Sequence, residues 1–339
     1  MLVLLPMVIT ANVAVGKPWA SQATAILAGA IAGVTFLLGA LDLAGAGLVI
    51  AGPGVQSPGL DVGIMATGVV AATLASKPVR RRVARLVPID PESPVHALAL
   101  VLAVILFGSQ LATIAFVDIL ALVQAQPPAT LVDLASNQLQ FLILALAGVG
   151  LYIRRTPAGA ADRLGVTRPA WWHIAIALAV AGAFFAFTQA ADHLSHVLTP
   201  QVAGQVDKTT EHVFGGLGNP IGIAALALLP GICEEVLFRG ALQPRIGLFA
   251  TAALFTSIHT QYGLSFDALA VLVVAIGLGV LRKYTTTTTT CVCHVSYNLL
   301  AEIGVAGGLI GVSAGVEVGL IALSGYALWS NRRAARRRS

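Results

Sequence analysis

The sequence has few charged residues and few cysteines. Only 10% of its 339 residues are Asp, Glu, Lys or Arg, whereas a soluble globular domain carries about 25%. A chain with so little polar surface is not expected to fold as a water-soluble protein. Its three cysteines, Cys233, Cys291 and Cys293, are too few for a disulfide framework and lie in or beside apolar segments.

Two further patterns are missing from the sequence. The apolar runs are continuous and do not alternate with polar residues, which argues against a membrane β-barrel. No glycine fingerprint for nucleotide binding stands in a strand–turn–helix context. The 35 glycines are therefore better explained by close packing of membrane helices.

Long apolar stretches dominate what is present. The chain is 57% hydrophobic and its mean hydropathy is +0.87, and runs of about 20 apolar residues are typical of membrane-spanning helices. The first 15 residues form either a first span or an interfacial segment. The sequence therefore predicts an all-α, polytopic integral membrane bundle of about 8–11 helices. The other candidate spans are 22–41, 62–76, 96–124, 136–153, 170–190, 219–238, 247–260, 266–281, 290–309 and 312–329.

The basic residues cluster between the spans, at 77–85, 154–168, 282–283 and 332–338. A nucleic-acid partner could account for such clusters, but the excess of Lys and Arg in cytoplasmic loops accounts for them better. If 77–86 is cytoplasmic, every basic cluster falls on the same side of the bilayer. We therefore expect a multi-pass protein of the cell membrane that is surrounded by lipid, binds no nucleic acid and has a cytoplasmic C-terminus.

The chain divides by these features into three parts. Residues 1–165 form N-terminal transmembrane helices of unknown role, 166–329 form the candidate functional domain, and 330–339 form a basic tail. The polar residues that carry chemistry lie within about 220–305 of the second part.

Six charged or strongly polar residues lie well inside the predicted spans of that part, whereas Asp267, Glu302 and Glu317 lie closer to the span ends. A charge in mid-membrane costs about 2.5–3.5 kcal/mol on insertion scales, so such residues mark functional sites by default. Glu235 and Arg239 are four residues apart and can pair on one helix face. Glu234 is rotated about 100° from Glu235 and has no such local partner. The full set is Glu234, Glu235, Arg239, His259, His294 and Asn298.

These residues complement one another chemically. A carboxylate with a nearby imidazole can hold a water molecule and remove its proton. A second histidine and an asparagine, His294 and Asn298, are four apart and can stabilise a developing oxyanion. The same residues could also serve as structural ties between helices, or as a proton relay in an ion-coupled transporter.

Three short motifs in this region resemble the CPBP family, which includes the CAAX proteases and bacteriocin-processing enzymes and is also called the Abi family. The family pattern is E-E-x-x-x-R, then F-x-x-x-H, then H-x-x-x-N or H-x-x-x-D. Here the motifs read "EEVLFR" at 234–239, "FTSIH" at 255–259 and "HVSYN" at 294–298. The resemblance covers roughly 220–305 and says little about the N-terminal part.

The resemblance implies a multi-pass intramembrane endopeptidase, of the glutamate type or a metalloprotease. By the family pattern, Glu234 and His259 would activate water, and His294 and Asn298 would form the oxyanion site. Glu235 and Arg239 would shape and hold the site. The substrate would be a membrane protein or a lipidated peptide, since members of the family cleave prenylated CAAX proteins.

Three points stay open at the level of sequence. Zinc is one candidate cofactor, with Glu234, His259 and His294 as its ligands, although a metal-free mechanism is favoured because no H-E-x-x-H array is present. A non-catalytic bacteriocin-immunity or partner-binding protein is an alternative function. Finally, a membrane-crossing helix over 247–260 would carry His259 toward the outer face, away from Glu234 and His294.

Overall fold

The computed structural model describes residues 2–46, 57–305 and 310–336, with side chains in the last helix described as far as Ser330. Over these ranges the chain is helical and contains no β-strand. The all-α, polytopic fold predicted from the sequence is confirmed. The helices are α1 (Leu5–Ala14), α2 (Ala20–Leu43), α3 (Pro58–Leu74), α4 (Lys77–Val83), α5 (Pro94–Phe116), α6 (Ile119–Gln124), α7 (Leu131–Val149), α8 (Pro157–Leu164), α9 (Trp171–Leu198), α10 (Pro200–Phe214), α11 (Pro220–Glu235), α12 (Gln243–Ile246), α13 (Leu248–Ser257), α14 (Phe266–Tyr284), α15 (Thr287–Ile303) and α16 (Ile310–Arg336).

Among the described residues, six helical segments are long and apolar enough to cross a membrane, or seven if the bent pair α3–α4 forms one span. One of the six is the continuous segment Pro220–Ile246, which runs from α11 to α12. The predicted total of 8–11 also counts α13, α14 and α15. Helices α13 and α15 have only 10 and 17 residues, and α14 carries charged residues in both its first and last turns. The predicted span 96–124 is divided into α5 and α6, because Asp118 caps a new helix by accepting from Ala121 N at 3.1 Å.

Loops that the sequence places on the same side of the bilayer contact one another. On the side with few basic residues, Gln124 Nε2 donates to Thr209 Oγ1 at 2.7 Å. On the arginine-rich side, Arg163 Nη1 of α8 donates to Gly240 O at 3.1 Å. The predicted alternation of loops therefore agrees with the packing of the bundle, while the cytoplasmic placement of the arginine-rich side stays a prediction. Residues 337–339 of the basic tail lie outside the described residues.

The threonine run 285–290 starts the helix that carries His294. Thr286 caps α15 by accepting from Thr289 N at 3.2 Å. Thr287 Oγ1 donates to Leu164 O at 2.6 Å and joins α15 to the end of α8. Because these hydroxyls find partners in the backbone, this polar sequence can enter the bundle without unpaired groups.

The chain around Glu234 departs from a regular helix in two ways. Pro230 lies inside α11 and cannot donate a backbone hydrogen bond. Directly after Glu235 the backbone widens into a π-helical turn, Val236–Leu242, a feature that is frequent at functional sites.

Gly231 brings α11 and α15 together. A Cβ atom at this position would lie 2.5 Å from Val295 Cγ2 and 2.8 Å from Val295 N. Only glycine permits this approach of the two backbones. The close contact places the end of α11, with its two glutamates, beside the face of α15 that carries His294.

Candidate active site

Glu235 joins two of the predicted site residues. Its Oε1 lies 3.1 Å from Arg239 Nη1 and 3.0 Å from His294 Nδ1. All three side chains are buried, and Glu235 is 0% exposed. The ion pair expected from the i, i+4 spacing is present, and the same carboxylate also orients the histidine of α15.

Arg239 makes further contacts that hold this group in place. Its Nη2 donates to Ala275 O of α14 at 3.2 Å. Its guanidinium carbon lies 4.3 Å from the centre of the Phe255 ring in α13, a cation–π arrangement. Arg239 therefore connects the π-helical turn to two neighbouring helices.

Glu234 points to a different partner, which sequence reasoning missed. Gln138 Nε2 of α7 donates to Glu234 Oε1 at 2.9 Å, and both side chains are buried. The other oxygen, Oε2, is buried and receives no hydrogen bond from any residue that the structure describes. Gln138 is a polar residue in the predicted apolar span 136–153, and this position is a sequence signal for a buried role. Its partner could not be predicted, because 96 residues separate Gln138 from Glu234.

His259 and His294 lie around one aromatic ring. The centre of the Phe255 ring is 4.6 Å from that of His259 and 6.0 Å from that of His294. His294 in turn pairs with Glu235, the sequence neighbour of Glu234. Four of the predicted residues, Glu234, Glu235, His259 and His294, are thus brought together from α11, α15 and the turn after α13.

The position of His259 follows from the shortness of α13. Ten residues span about 15 Å, roughly half of a hydrocarbon core of about 30 Å. Helix α13 ends at Ser257, and His259 stands in the following turn. The expectation that His259 lies away from His294 is wrong, because both rings pack around Phe255. The turn that carries His259 also contacts α6 and α10.

The hydrogen bond of His259 determines its tautomer. Its Nδ1 lies 2.8 Å from Phe255 O, and a carbonyl oxygen can only accept. The proton therefore resides on Nδ1, and Nε2 of the neutral ring is left as an acceptor. Tyr262 stacks on the other side, with ring centres 6.4 Å apart.

Asn298 bonds to the part of α11 that precedes Pro230. Its Nδ2 donates to Leu226 O at 3.3 Å. Leu226 is four residues before Pro230, so this carbonyl is the one that the proline leaves without an intrahelical donor. Asn298 thus compensates for Pro230, and the second N–H of its amide remains for another acceptor.

The three candidate zinc ligands do not form a common site as they are arranged. In the described part of the chain, the set of three ligand atoms within 4.8 Å of one another comes from Asp192, His196 and Asp207. These side chains are exposed, and His196 Nε2 pairs with Asp207 Oδ2 at 3.1 Å. Glu234, His259 and His294 lack that proximity and do not fit a single ion without rearrangement.

Comparison with known proteins finds a family match for this region of the chain. Residues 216–300 match the family described as type II CAAX prenyl endopeptidase Rce1-like. This segment is therefore similar to that family. The match confirms the resemblance to the CAAX proteases, and the Rce1-like segment contains all six polar residues selected from the sequence. Gln138 lies outside it.

One curated relative covers a shorter stretch. Over 65 residues, 19% of this chain, the sequence is 42% identical to the "Uncharacterized protein YpbD" of Bacillus subtilis (strain 168). The aligned stretch spans 34% of that protein. No solved structure matches the chain.

Proposed function

We propose that the chain is an intramembrane endopeptidase of the CAAX-protease type that hydrolyses a peptide bond with an activated water molecule. The observation that carries this proposal is a grouping inside the bundle. His259 and His294 pack around the Phe255 ring, and His294 pairs with Glu235, the sequence neighbour of Glu234. Glu234 keeps one buried carboxylate oxygen without a donor among the described residues, and His259 keeps an unprotonated Nε2. Both atoms can accept a proton from water.

In the proposed reaction, a water molecule lies between Glu234 Oε2 and His259 Nε2. Glu234 accepts its proton while the water oxygen attacks the carbonyl carbon of the scissile bond. When the carbon–nitrogen bond breaks, the same proton passes to the departing amine. Gln138 holds the other carboxylate oxygen and so orients Glu234 for this transfer.

The negative charge that develops on the carbonyl oxygen requires hydrogen-bond donors. His294 Nδ1 faces the Glu235 carboxylate, so Nδ1 carries a proton, and Nε2 can donate only if the ring is protonated. The free N–H of Asn298 is the second candidate donor.

The primary test compares the wild type with Glu234→Gln in membranes. A prenylated peptide that ends in a CAAX sequence serves as the defined substrate, and proteomics of protein termini searches for native ones. We expect cleavage in the wild type and at least about a thousandfold loss in the variant, as for loss of a general base combined with water positioning. If wild-type membranes do not cleave the peptide and their protein termini match those of the variant, the partner-binding alternative is favoured.

Metal dependence is tested separately on the purified protein. We expect activity to persist after rigorous chelation, with no stoichiometric metal in the sample. Loss of activity that only zinc restores would instead indicate that Glu234, His259 and His294 rearrange to bind the ion.

A further inference from the structure

A large cavity lies on the arginine-rich side of the bundle, between α1, α5, α7 and the segment that follows Glu235. Its volume is about 430 Å³, within the usual size range of ligand pockets. Most of its wall is apolar and includes Leu102, Leu106, Leu144, Leu237 and Leu242. The proposed catalytic residues do not line this cavity.

Four arginines line the same cavity. They are Arg154, Arg155, Arg163 and Arg245. Asp90 is the one acidic residue in the described lining, and no carboxylate of the described residues forms an ion pair with any of the four. By contrast, the nearby Lys77 and Arg81 share Glu92 at 2.7 and 2.8 Å.

The arginines are held close to one another by bonds to the backbone and to an asparagine. Arg154 Nε donates to Asn12 Oδ1 at 2.8 Å, and Arg163 donates to Gly240 O. Burial, and then the charges of Arg245 and the other arginines, lower the pKa of Arg163 to about 10. A group of four positive charges with a single acidic neighbour at an apolar cavity favours an anionic partner.

Arg245 gives the most direct indication of such a partner. Its Nε is buried, yet it finds no acceptor among the described residues. Buried polar groups are hydrogen-bonded in the great majority of cases, so an unpaired one points to a missing acceptor. A phosphate oxygen would supply the acceptor and would suit the planar guanidinium.

We propose that this cavity binds one anionic phospholipid, with its phosphate on the four arginines and an acyl chain along the apolar wall. Basic pockets between transmembrane helices are typical sites for acidic lipid headgroups. The surrounding leaflet supplies such a molecule directly, and the cavity combines the charge and the apolar surface that its two parts need.

The lipid chain would contact the element that carries the proposed active site. Leu237, Phe238 and Leu242 of the π-helical turn line the cavity. Phe238 also packs on Phe255, with ring centres 5.3 Å apart, and Phe255 contacts both site histidines. The bound lipid is therefore expected to stabilise the turn after Glu235, independently of whether the protein cleaves peptides.

Native mass spectrometry of the full chain tests this proposal. The protein is released from nanodiscs made of equal parts phosphatidylglycerol and phosphatidylcholine. We expect one retained phosphatidylglycerol in the wild type and about fivefold less retention in Arg245→Gln, from the loss of one cationic contact. Ala99→Phe should reduce retention without any change of charge, because Ala99 lines the apolar part of the cavity.

The matched control removes two arginines that lie outside the cavity. Arg82 and Arg85 are exposed, and the double variant Arg82→Gln/Arg85→Gln should retain the lipid as the wild type does. If Arg245→Gln does not fold, Arg154→Gln and Ala99→Phe carry the same test. Equal retention of both lipids, or equal loss in the control, would overturn the proposal.

A final arm separates the lipid from a soluble phosphate ester. Thermal unfolding is followed in detergent with added phosphatidylglycerol or glycerol phosphate. Stabilisation by the lipid alone is expected. Equal, saturable stabilisation by glycerol phosphate would assign the arginines to a soluble ligand and refute the lipid site.

Discussion

At the scale of single residues, the two adjacent glutamates have separate surroundings. Glu235 is the counter-ion of buried Arg239 and also orients His294. Glu234 makes one hydrogen bond, to Gln138, and keeps a second oxygen free of donors among the described residues. The geometry therefore suggests a structural role for the second glutamate and a chemical role for the first.

This division predicts that the same Glu→Gln substitution changes the free energy of unfolding strongly at Glu235 and little at Glu234. Glu235→Gln should lower the free energy of unfolding by about 3–5 kcal/mol, because it leaves the Arg239 charge buried without a counter-ion. Glu234→Gln should leave stability within about 1 kcal/mol, because the Gln138 amide can still bond to a carboxamide oxygen. Denaturant unfolding of both purified variants measures the difference. Equal destabilisation would contradict the division of roles.

Gln138 provides a second test at this scale. Gln138→Met keeps the side chain's length but removes the donor to Glu234, so we expect kcat/KM for peptide cleavage to fall about tenfold or more, as for a lost bond to a charged group. Gln140→Met makes the same chemical change on the same helix, where Gln140 bonds only to the backbone of its own helix, at Ser136 O. Equal activity of the two variants would show that Gln138 does not position Glu234.

At the scale of elements, Pro230 and Asn298 act as a pair on different helices. Asn298→Ala should cost about 1–3 kcal/mol, because the Leu226 carbonyl then loses its donor. In a Pro230→Ala background the helix can supply that donor itself, so the cost of the same substitution should become smaller. A double-mutant cycle on unfolding free energies measures this coupling. Strictly additive effects would mean that the two residues are independent.

Helix periodicity determines which parts of the site could be predicted from the sequence. The Glu235–Arg239 pair follows from a spacing of four residues, and the shared face of His294 and Asn298 follows in the same way. Contacts between helices, such as Gln138 with Glu234 and His294 with Glu235, depend on packing that no local pattern encodes. Hydropathy also gives no signal for the early end of α13, because the residues after Ser257 remain partly apolar.

At the scale of the whole molecule, charge and packing define two faces of the bundle. The arginine-rich loops meet on one face, while α6 and α10 pack together on the other. The site lies between the faces, on α11, α15 and the turn after the half-length helix α13. A peptide bond can reach this position only if the substrate enters the membrane or its interface.

The orientation of these faces predicts a definite labelling pattern in cells. Arg85 and Gln201 are exposed on the arginine-rich and the opposite side, respectively. In a chain whose three cysteines are replaced by alanine, Gln201→Cys should react with an impermeant maleimide in intact cells, because that side is expected to be external. Arg85→Cys should react only after the membrane is opened. The reverse pattern would place the C-terminus and the arginine-lined cavity outside, where the cytoplasmic leaflet could not supply the proposed lipid.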